Sequence, residues 1–353
     1  MELGSSDNES GCHQQSGAVL NMNGILNRKR YFVIINPCSG KGKALQFFNR
    51  TVAPMYQQAD IAFYCFITEY ANHGYETVQK LNVEQWDAVI IVSGDGMVHE
   101  VLNGLMNRSD RSTALKRLPI AVLPGGSANA LVACLMHLAG HSDKPNPQML
   151  VDATRLTISY NPTPLRLIHV QSATRDFVAF LSLGMGLFPD IDINSEPLRT
   201  LGDIRFTIYA FVCCMSTTSG IIPMPPLSDP VPHDWETVTD SFNLVFAAFI
   251  SHVGAGMLYN PSARLADSVI HLNFIREASR RQLAKSCLAL TPGKLQDLTF
   301  VQTIPVVAYR IDPIDCSPNI VADGELLREC GSVQACVSGH CATVLGPPST
   351  RDL

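Results

Sequence analysis

Short apolar runs alternate with amphipathic stretches along the first part of the chain, which predicts strands that alternate with helices. The predicted strands are 31–36 (YFVIIN), 61–68 (IAFYCFIT), Trp86–Ser93 and Ile120–Leu123. The predicted helices are Lys43–Phe48, His73–Leu81, Met97–Met106 and Ala128–His137. Apolar strands separated by helices are typical of a largely parallel sheet with helices on its faces. We therefore expect an α/β domain over residues 29–150, preceded by a polar, mobile tail over residues 1–28.

The pattern changes after residue 150, where β-branched, strand-like runs dominate and few helices separate them. The predicted strands are Leu156–Tyr160, Leu165–Ser172, Phe177–Leu183, Phe242–Ile250, Val269–Phe274, Phe300–Ile311 and Val333–Val337. The predicted helices are Leu201–Met215 and Arg280–Leu290. This region, residues 151–345, is expected to form a second domain made mainly of antiparallel sheet.

Composition narrows the classes of function. A chain of 353 residues is too long for one ordinary core, which supports the division into two domains. The net charge of −5 gives no basis for general nucleic-acid binding, so no nucleic-acid partner is expected. No apolar run is long enough for a membrane-spanning helix, and the 11 scattered cysteines predict reduced thiols in a cytosolic protein.

Three predicted strands end in glycine-rich turns, namely 36–43 (NPCSGKGK), 93–96 (SGDG) and 124–129 (PGGSAN). Ligands of open α/β sheets bind at these strand ends, and glycines followed by helix N-termini favour phosphate groups. The common nucleotide motifs are absent, because Ala44 follows Lys43 and no GxGxxG occurs. From the residues alone, Asp95 between its two glycines is a turn former, a metal or phosphate contact, or a catalytic base.

Four segments in this order resemble the diacylglycerol kinase catalytic-domain superfamily of lipid kinases, and among its members most closely the sphingosine kinases. These segments are 36–45 (NPCSGKGKAL), 93–105 (SGDGMVHEVLNGL), 123–131 (LPGGSANAL) and 321–327 (VADGELL). Further support comes from 67–73, 186–207 and 251–261, so the resemblance spans nearly the whole folded chain. The resemblance implies an NAD-kinase-like α/β domain followed by a β-sandwich, with the nucleotide in the cleft between them.

The same resemblance implies transfer of the ATP γ-phosphate to the primary hydroxyl of a sphingoid base such as sphingosine, with Mg²⁺ as cofactor. It makes Asp95 the catalytic base. The implied ATP-binding residues are Asn36, Pro37, Cys38, Thr68, Glu69, Tyr70, Ala71, Asn72, Gly94, Gly96, Glu100, Gly126, Ser127, Ala128, Arg199, Arg205, Asp323, Gly324 and Glu325. Asn129 is expected to support the last glycine loop. No side chain is assigned to the metal.

The implied substrate-binding residues are Ser93, Gly94, Asp95, Gly96, Ser182, Asp192, Phe188, Ile191, Phe206, Leu283 and Leu290. By the resemblance, Asp192 matches the acid that holds the substrate amine. Such an acid is needed because a cationic amine that leaves water requires a charged partner. The apolar residues of this set match positions that enclose the acyl tail. From the residues alone, plain core packing is the stronger reading for them.

Two residues depart from the family pattern near the nucleotide, where Cys38 replaces an arginine and Ala128 replaces a glycine. The segment Phe206–Met215 has no basic residues, so calmodulin binding is not expected. We expect a cytoplasmic enzyme in peripheral contact with membranes. The alternatives left open are a ceramide or diacylglycerol kinase of the same superfamily and a non-catalytic lipid-binding homologue.

Overall fold

A computed structural model describes residues 28–188, 209–217, 224–314, 319–327 and 331–348. The helices are α1 (Ala44–Phe47), α2 (Ala53–Gln58), α3 (His73–Lys80), α4 (Asp95–Met106), α5 (Arg111–Arg117), α6 (Ala130–Leu138), α7 (Gln148–Ser159) and α8 (Arg280–Leu290). The strands are β1 (Arg30–Ile35), β2 (Ala62–Ile67), β3 (Ala88–Ser93), β4 (Ile120–Pro124), β5 (Asn161–Gln171), β6 (Asp176–Ala179), β7 (Ser182–Gly186), β8 (Tyr209–Ser216), β9 (Glu236–Ala248), β10 (His252–Gly254), β11 (Met257–Leu258), β12 (Ile270–Arg276), β13 (Val301–Val306), β14 (Ala308–Pro313), β15 (Ile320–Ala322), β16 (Glu325–Leu327) and β17 (Val333–Gly346). A π-helical turn joins α1 to α2, and a 3₁₀ turn precedes β3.

The N-terminal half is an α/β domain with a parallel sheet in the order β2-β1-β3-β4. Every residue of β3 is buried, because helices cover both faces of this sheet. That burial explains why β3 reads as an unbroken apolar run (AVIIVS) rather than an alternating one. The carboxyl ends of β1, β3 and β4 therefore lie side by side, and they carry the three glycine-rich turns.

The C-terminal half is a β-sandwich built from antiparallel pairs, with β9 at its centre. The long strand β9 pairs with β8 through its first part and with β7 and β12 through its second part. The inner faces of the strands bury a separate apolar cluster that includes Phe242, Phe274 and Tyr309. A third cluster fills the space between α8 and the opposite face of β9.

The two halves share one sheet. Strand β17 pairs with β14 and β5 in the sandwich, and at Val344 it lies parallel to β4 next to Ile120. Strand β17 therefore returns to the α/β domain, and a division of the chain at residue 150 stays a prediction. No helix within the described ranges is long and apolar enough to cross a membrane.

Two predicted elements are wrong. Leu156–Tyr160 was expected as a strand, but residues up to Ser159 form the end of α7. The buried Thr157 hydroxyl has a hydrogen-bond partner within this helix, because it donates to the Thr154 carbonyl. Leu201–Met215 was expected as a helix, but its described part from Tyr209 onward belongs to β8, because pairing with both β9 and β14 outweighs the local pattern. The predicted strands Leu165–Ser172 and Val269–Phe274 and the helix α8 are confirmed to within a few residues. Phe177–Leu183 and Phe300–Ile311 were each predicted as one strand, but each spans two, β6 with β7 and β13 with β14. Phe242–Ile250 and Val333–Val337 are strand as predicted, but they are only parts of the longer strands β9 and β17.

Candidate active site

A cleft of about 720 Å³ lies at the carboxyl ends of β1, β3 and β4, and the sandwich closes its other side. One part of its wall consists of the glycine turns and carboxylates, and another part is apolar. A cleft of this size with mixed walls is typical of sites for small ligands.

Asp95 is the first residue of α4, only 6% exposed, and its carboxylate reaches across to the start of α6. One oxygen accepts from the Ala130 N–H (2.8 Å) and the other from the Leu131 N–H (3.1 Å). Burial raises the pKa of the Asp95 carboxyl above its ordinary value, and the nearby negative charge of Asp323 raises it further, whereas the two N–H groups lower it. The result is a firmly oriented carboxylate that is a stronger base than an exposed one.

Asp323 connects the two halves of the molecule through its own carboxylate. The backbone N–H groups of Phe180, Leu181 and Ser182 donate to it over 2.8–3.3 Å. Its second oxygen lies 2.8 Å from Nδ1 of His99, on α4. Because these contacts occupy the carboxylate, Asp323 holds the β6–β7 turn beside α4, a structural role that the sequence analysis did not predict.

The turns after β3 and β4 pack so closely against each other that glycine is required at Gly94 and Gly126 even without a ligand. A Cβ on Gly126 would lie 2.4 Å from the Gly94 Cα, and one on Gly94 would lie 3.1 Å from the Gly126 Cα. Asn129 has φ of +51° and folds the loop back on itself, because its side chain accepts from the Gly126 N–H and donates to the Gly126 carbonyl. The expected role of Asn129 in supporting the last glycine loop is thus confirmed.

Glu100 lies one turn into α4 and faces the N-terminus of α3. Its carboxylate accepts from the Gly74 N–H at 3.1 Å. Burial raises the pKa of Glu100 above its ordinary value and the negative charge of Glu325 adds to this, whereas N–H groups of Asn72, Gly74 and Tyr75 lower it. The predicted loop at 68–72 and Glu100 therefore do lie together, although Glu100 is the member that reaches the cleft.

The apolar wall of the cleft is contributed by the sandwich and α8. The rings of Phe188 and Phe246 pack edge to face 6.0 Å apart, and both contact Tyr259. Leu290 at the end of α8 joins them, whereas Leu283 is buried in the core behind the wall. This wall can accept a hydrocarbon chain but makes few polar contacts.

The structure brings most of the predicted site residues to the cleft. Those that line it are Asn36, Ser93, Gly94, Asp95, Gly96, Glu100, Gly126, Ser127, Ala128, Ser182, Phe188, Leu290, Asp323, Gly324 and Glu325. Those described but set away from its wall are Pro37, Cys38, Thr68, Glu69, Tyr70, Ala71, Asn72 and Leu283. Those outside the described residues are Ile191, Asp192, Arg199, Arg205 and Phe206.

Several lining residues were missed by the sequence reasoning, and they are Ser39, Gly40, Met97, Leu181, Phe246, Val253, Met257, Cys287 and Val321. Ser39 and Gly40 belong to the first glycine turn, so their place in it was a usable signal. Val253 and Met257 lie in the segment 251–261 that supports the resemblance, although neither was assigned to the site. Phe246 carried no signal, because an apolar residue of a strand looks the same in sequence whether it faces a core or a cleft.

Comparison with known proteins agrees with this arrangement. Residues 30–164 match the family model of the diacylglycerol kinase catalytic domain, and residues 215–345 match that of the YegS C-terminal NAD kinase beta sandwich-like domain. The crystal structure of a diacylglycerol kinase from Bacillus anthracis str. Sterne superposes with a TM-score of 0.61 at 16% identity, covering 91% of this chain and 97% of that one. The fold is thus that of the diacylglycerol kinase catalytic-domain class, followed by the sandwich domain that the second model describes.

Individual sequence relatives show which family within this class the chain belongs to. Sphingosine kinase 1 of Homo sapiens is 37% identical over 86% of this chain and 88% of its own length. Sphingosine kinase 2 of Homo sapiens is 39% identical over 90% of this chain and 71% of its own length. The chain therefore belongs to the sphingosine kinase family.

Proposed function

We propose that this protein transfers the γ-phosphoryl group of ATP to the primary hydroxyl of a sphingoid base such as sphingosine. The observation that carries the proposal is Asp95, a buried and fixed carboxylate at the junction of the glycine turns and the apolar wall. A phosphoryl acceptor with a long hydrocarbon chain would place its hydroxyl at such a junction. The sphingosine kinase relatives support the same choice of substrate.

In the proposed step, the Asp95 carboxylate takes the hydroxyl proton while the hydroxyl oxygen forms a bond to the γ-phosphorus. The bond from that phosphorus to the β–γ bridging oxygen breaks, and ADP leaves with the electron pair. Burial raises the pKa of Asp95, which makes its carboxylate a better proton acceptor. The two N–H groups of α6 keep it oriented, so little reorganisation is needed during the transfer.

The phosphate groups of ATP would lie against the three turns, of which Asn36, Gly94 and Ser127 line the cleft. The dipoles of α4 and α6 point their positive ends at this edge and favour phosphate there. In this proposal Arg199 and Arg205 neutralise the negative charge of the phosphates, a role that rests only on the resemblance.

Mg²⁺ fits the donor set that the cleft offers beside the phosphates. Glu100 and Glu325 both line the cleft, the negative charge of Glu325 raises the pKa of Glu100, and a Cβ on Gly96 would lie 3.2 Å from Oε1 of Glu325. Two neighbouring carboxylates are suitable ligands for a hard divalent cation. We propose that Glu325 and Glu100 would hold Mg²⁺ there, where it would neutralise charge on the transferred group.

The lipid would lie with its tail between Phe188, Phe246 and Leu290 and its head near Ser182. Asp192 would pair with the amine, which a sphingoid base carries and which ceramide and diacylglycerol lack in cationic form. The protein would work in the cytoplasm and contact membranes peripherally to take up this lipid.

A lipid panel tests the proposal. Purified protein is given radiolabelled ATP and Mg²⁺ with sphingosine, ceramide or diacylglycerol in matched micelles, and labelled lipid is quantified. We expect sphingosine 1-phosphate as the main product, and Asp192→Ala should lower kcat/KM for sphingosine without creating activity on ceramide. Preferred labelling of ceramide or diacylglycerol would reject the substrate, and no labelled lipid with intact ATP binding would reject the activity.

A further inference from the structure

A cluster of two histidines and one aspartate lies behind the cleft wall, and neither the glycine turns nor the proposed phosphoryl transfer uses it. The cluster is formed by His137, Asp143 and His252, whose potential ligand atoms all lie within 4.8 Å of one another. His137 is in the last turn of α6, Asp143 follows that helix in a loop, and His252 begins β10. Among the described residues this is the one group of three or more His, Cys, Asp or Glu side chains whose ligand atoms lie close enough together to hold a metal ion.

The three side chains already lie in positions from which they could ligate one metal ion. Nε2 of His252 lies 2.9 Å from a carboxylate oxygen of Asp143, and the rings of His137 and His252 are 5.2 Å apart at 57°. His252 is fully buried, whereas Asp143 is partly exposed and His137 is exposed. An ion could therefore enter from the solvent side and keep a water molecule as its remaining ligand.

The ring of His252 is fixed by a second contact. Its Nδ1 lies 2.9 Å from the Ser251 hydroxyl, which in turn donates to the Cys134 sulfur at 3.2 Å. A hydrogen bond to one ring nitrogen is what orients the other nitrogen of a metal-binding histidine. With Nδ1 held by Ser251, Nε2 is the nitrogen that points at Asp143 and into the cluster.

From this cluster we infer a Zn²⁺ site formed by His137, Asp143 and His252. Two imidazoles and one carboxylate are a donor set that suits Zn²⁺ and leaves its fourth position open. Ca²⁺ and Mg²⁺ prefer oxygen ligands and fit less well.

The site would fix one wall of the cleft. The Asp143 carbonyl accepts from Gly256, and the Ala128 carbonyl accepts from Ala255, so the β10–β11 hairpin is already held against both loops. Val253 and Met257 of this hairpin line the cleft. An ion at the cluster would join α6, the loop after it and the hairpin, and would restrain the apolar wall that the proposed lipid contacts.

Metal binding by the whole chain tests the site without relying on activity. Protein freed of metal by a chelator, and of any histidine tag, is titrated with Co²⁺ followed by visible absorption, and then with Zn²⁺ in competition. We expect one Co²⁺ to bind with the d–d absorption of a nitrogen and oxygen site and without thiolate charge-transfer bands. Zn²⁺ should displace it and raise the Tm by a few degrees.

His137→Ala and Asp143→Ala should each weaken Zn²⁺ binding by more than the roughly 10- to 100-fold that loss of an outer-shell partner typically costs. Both side chains are accessible, so neither change is expected to prevent folding. The matched control is His141→Ala, a half-exposed histidine of the same loop that pairs with Asp152 instead. Equal binding by His137→Ala and the unaltered protein, absorption from thiolate ligands, or no saturable binding would each overturn the site.

Discussion

The Asp95 carboxylate joins two elements of the α/β domain before any substrate binds. It starts α4 and accepts from both leading N–H groups of α6, and these bonds offset part of the free energy that its burial costs. Each oxygen still has a lone pair for a substrate hydroxyl. The residue that performs the proposed chemistry is thus also an N-terminal cap, which explains why it is oriented without a neighbouring cation among the described contacts.

The pH dependence of the reaction follows from the environment of Asp95. The carboxylate must be unprotonated to accept a proton, and burial followed by the Asp323 charge raises its pKa. Activity should therefore fall as the pH decreases through this raised pKa, so the acidic limb of kcat/KM should lie above the ordinary value of 3.8. A kcat/KM profile in a constant-ionic-strength buffer measures it, and an acidic limb at or below the ordinary value would contradict the assigned environment.

Asp323→Asn should shift the acidic limb of the kcat/KM profile. The substitution removes the negative charge that raises the pKa of Asp95, so the acidic limb should shift to lower pH. Because Asp323 also accepts from three backbone N–H groups, we expect the free energy of unfolding to fall by about 1–3 kcal/mol. Asp110→Asn, on the surface beside Arg108, is the control and should leave the profile unchanged. An unshifted limb in folded Asp323→Asn would show that the two carboxylates do not interact.

At the scale of elements, the close approach of the turns after β3 and β4 fixes the phosphate side of the cleft. Gly126→Ala would place a Cβ 2.4 Å from the Gly94 backbone, so one turn must move away from the other. A shift of about 1 Å near the reacting atoms can lower turnover about 100-fold. We expect a loss of that order in kcat/KM for Gly126→Ala.

Gly339→Ala is the matched control for the turns. Gly339 lies within β17, and a Cβ there would meet nothing within 4 Å. It should change kcat/KM and Tm little. Comparable losses in the two variants would show that contact between the turns is not what requires Gly126.

The last turn of α8 offers a second paired comparison. Leu290 lines the cleft and is 8% exposed, whereas Leu288 is 79% exposed on the same helix. Leu290→Trp would fill part of the apolar wall, so KM for sphingosine should rise while a short-chain analogue is affected less. Leu288→Trp should change neither. Steady-state kinetics with both substrates checks this, and equal effects on the two chain lengths would place the tail elsewhere.

Element prediction succeeded where a pattern was local. The strands β1 and β3 and their glycine turns were predictable, because an apolar run followed by glycine carries its own signal. The strand β8 was not, because its state depends on β9 and β14, which lie far along the chain. The cap of α6 by Asp95 likewise joins residues 35 positions apart.

At the scale of the whole molecule, each half supplies what the other lacks. The α/β domain provides the turns and the base, and the sandwich provides the apolar wall. The contacts that hold them together include the pair of β4 with β17, the His99–Asp323 contact, and the bond from Ala255 to Ala128. The resemblance correctly indicated a cleft between these halves, but only the structure shows that Asp323 and its turn are part of what joins them.

The central claim is that Asp95 is the proton acceptor in phosphoryl transfer to a sphingoid base. The direct test compares kcat for sphingosine in the unaltered protein, in Asp95→Asn and in the surface control Asp110→Asn. We expect Asp95→Asn to lower kcat by about 10²- to 10⁴-fold, with a Tm showing that it remains folded, and Asp110→Asn to change kcat little. A folded Asp95→Asn variant that keeps kcat within about tenfold of the unaltered protein would contradict the claim.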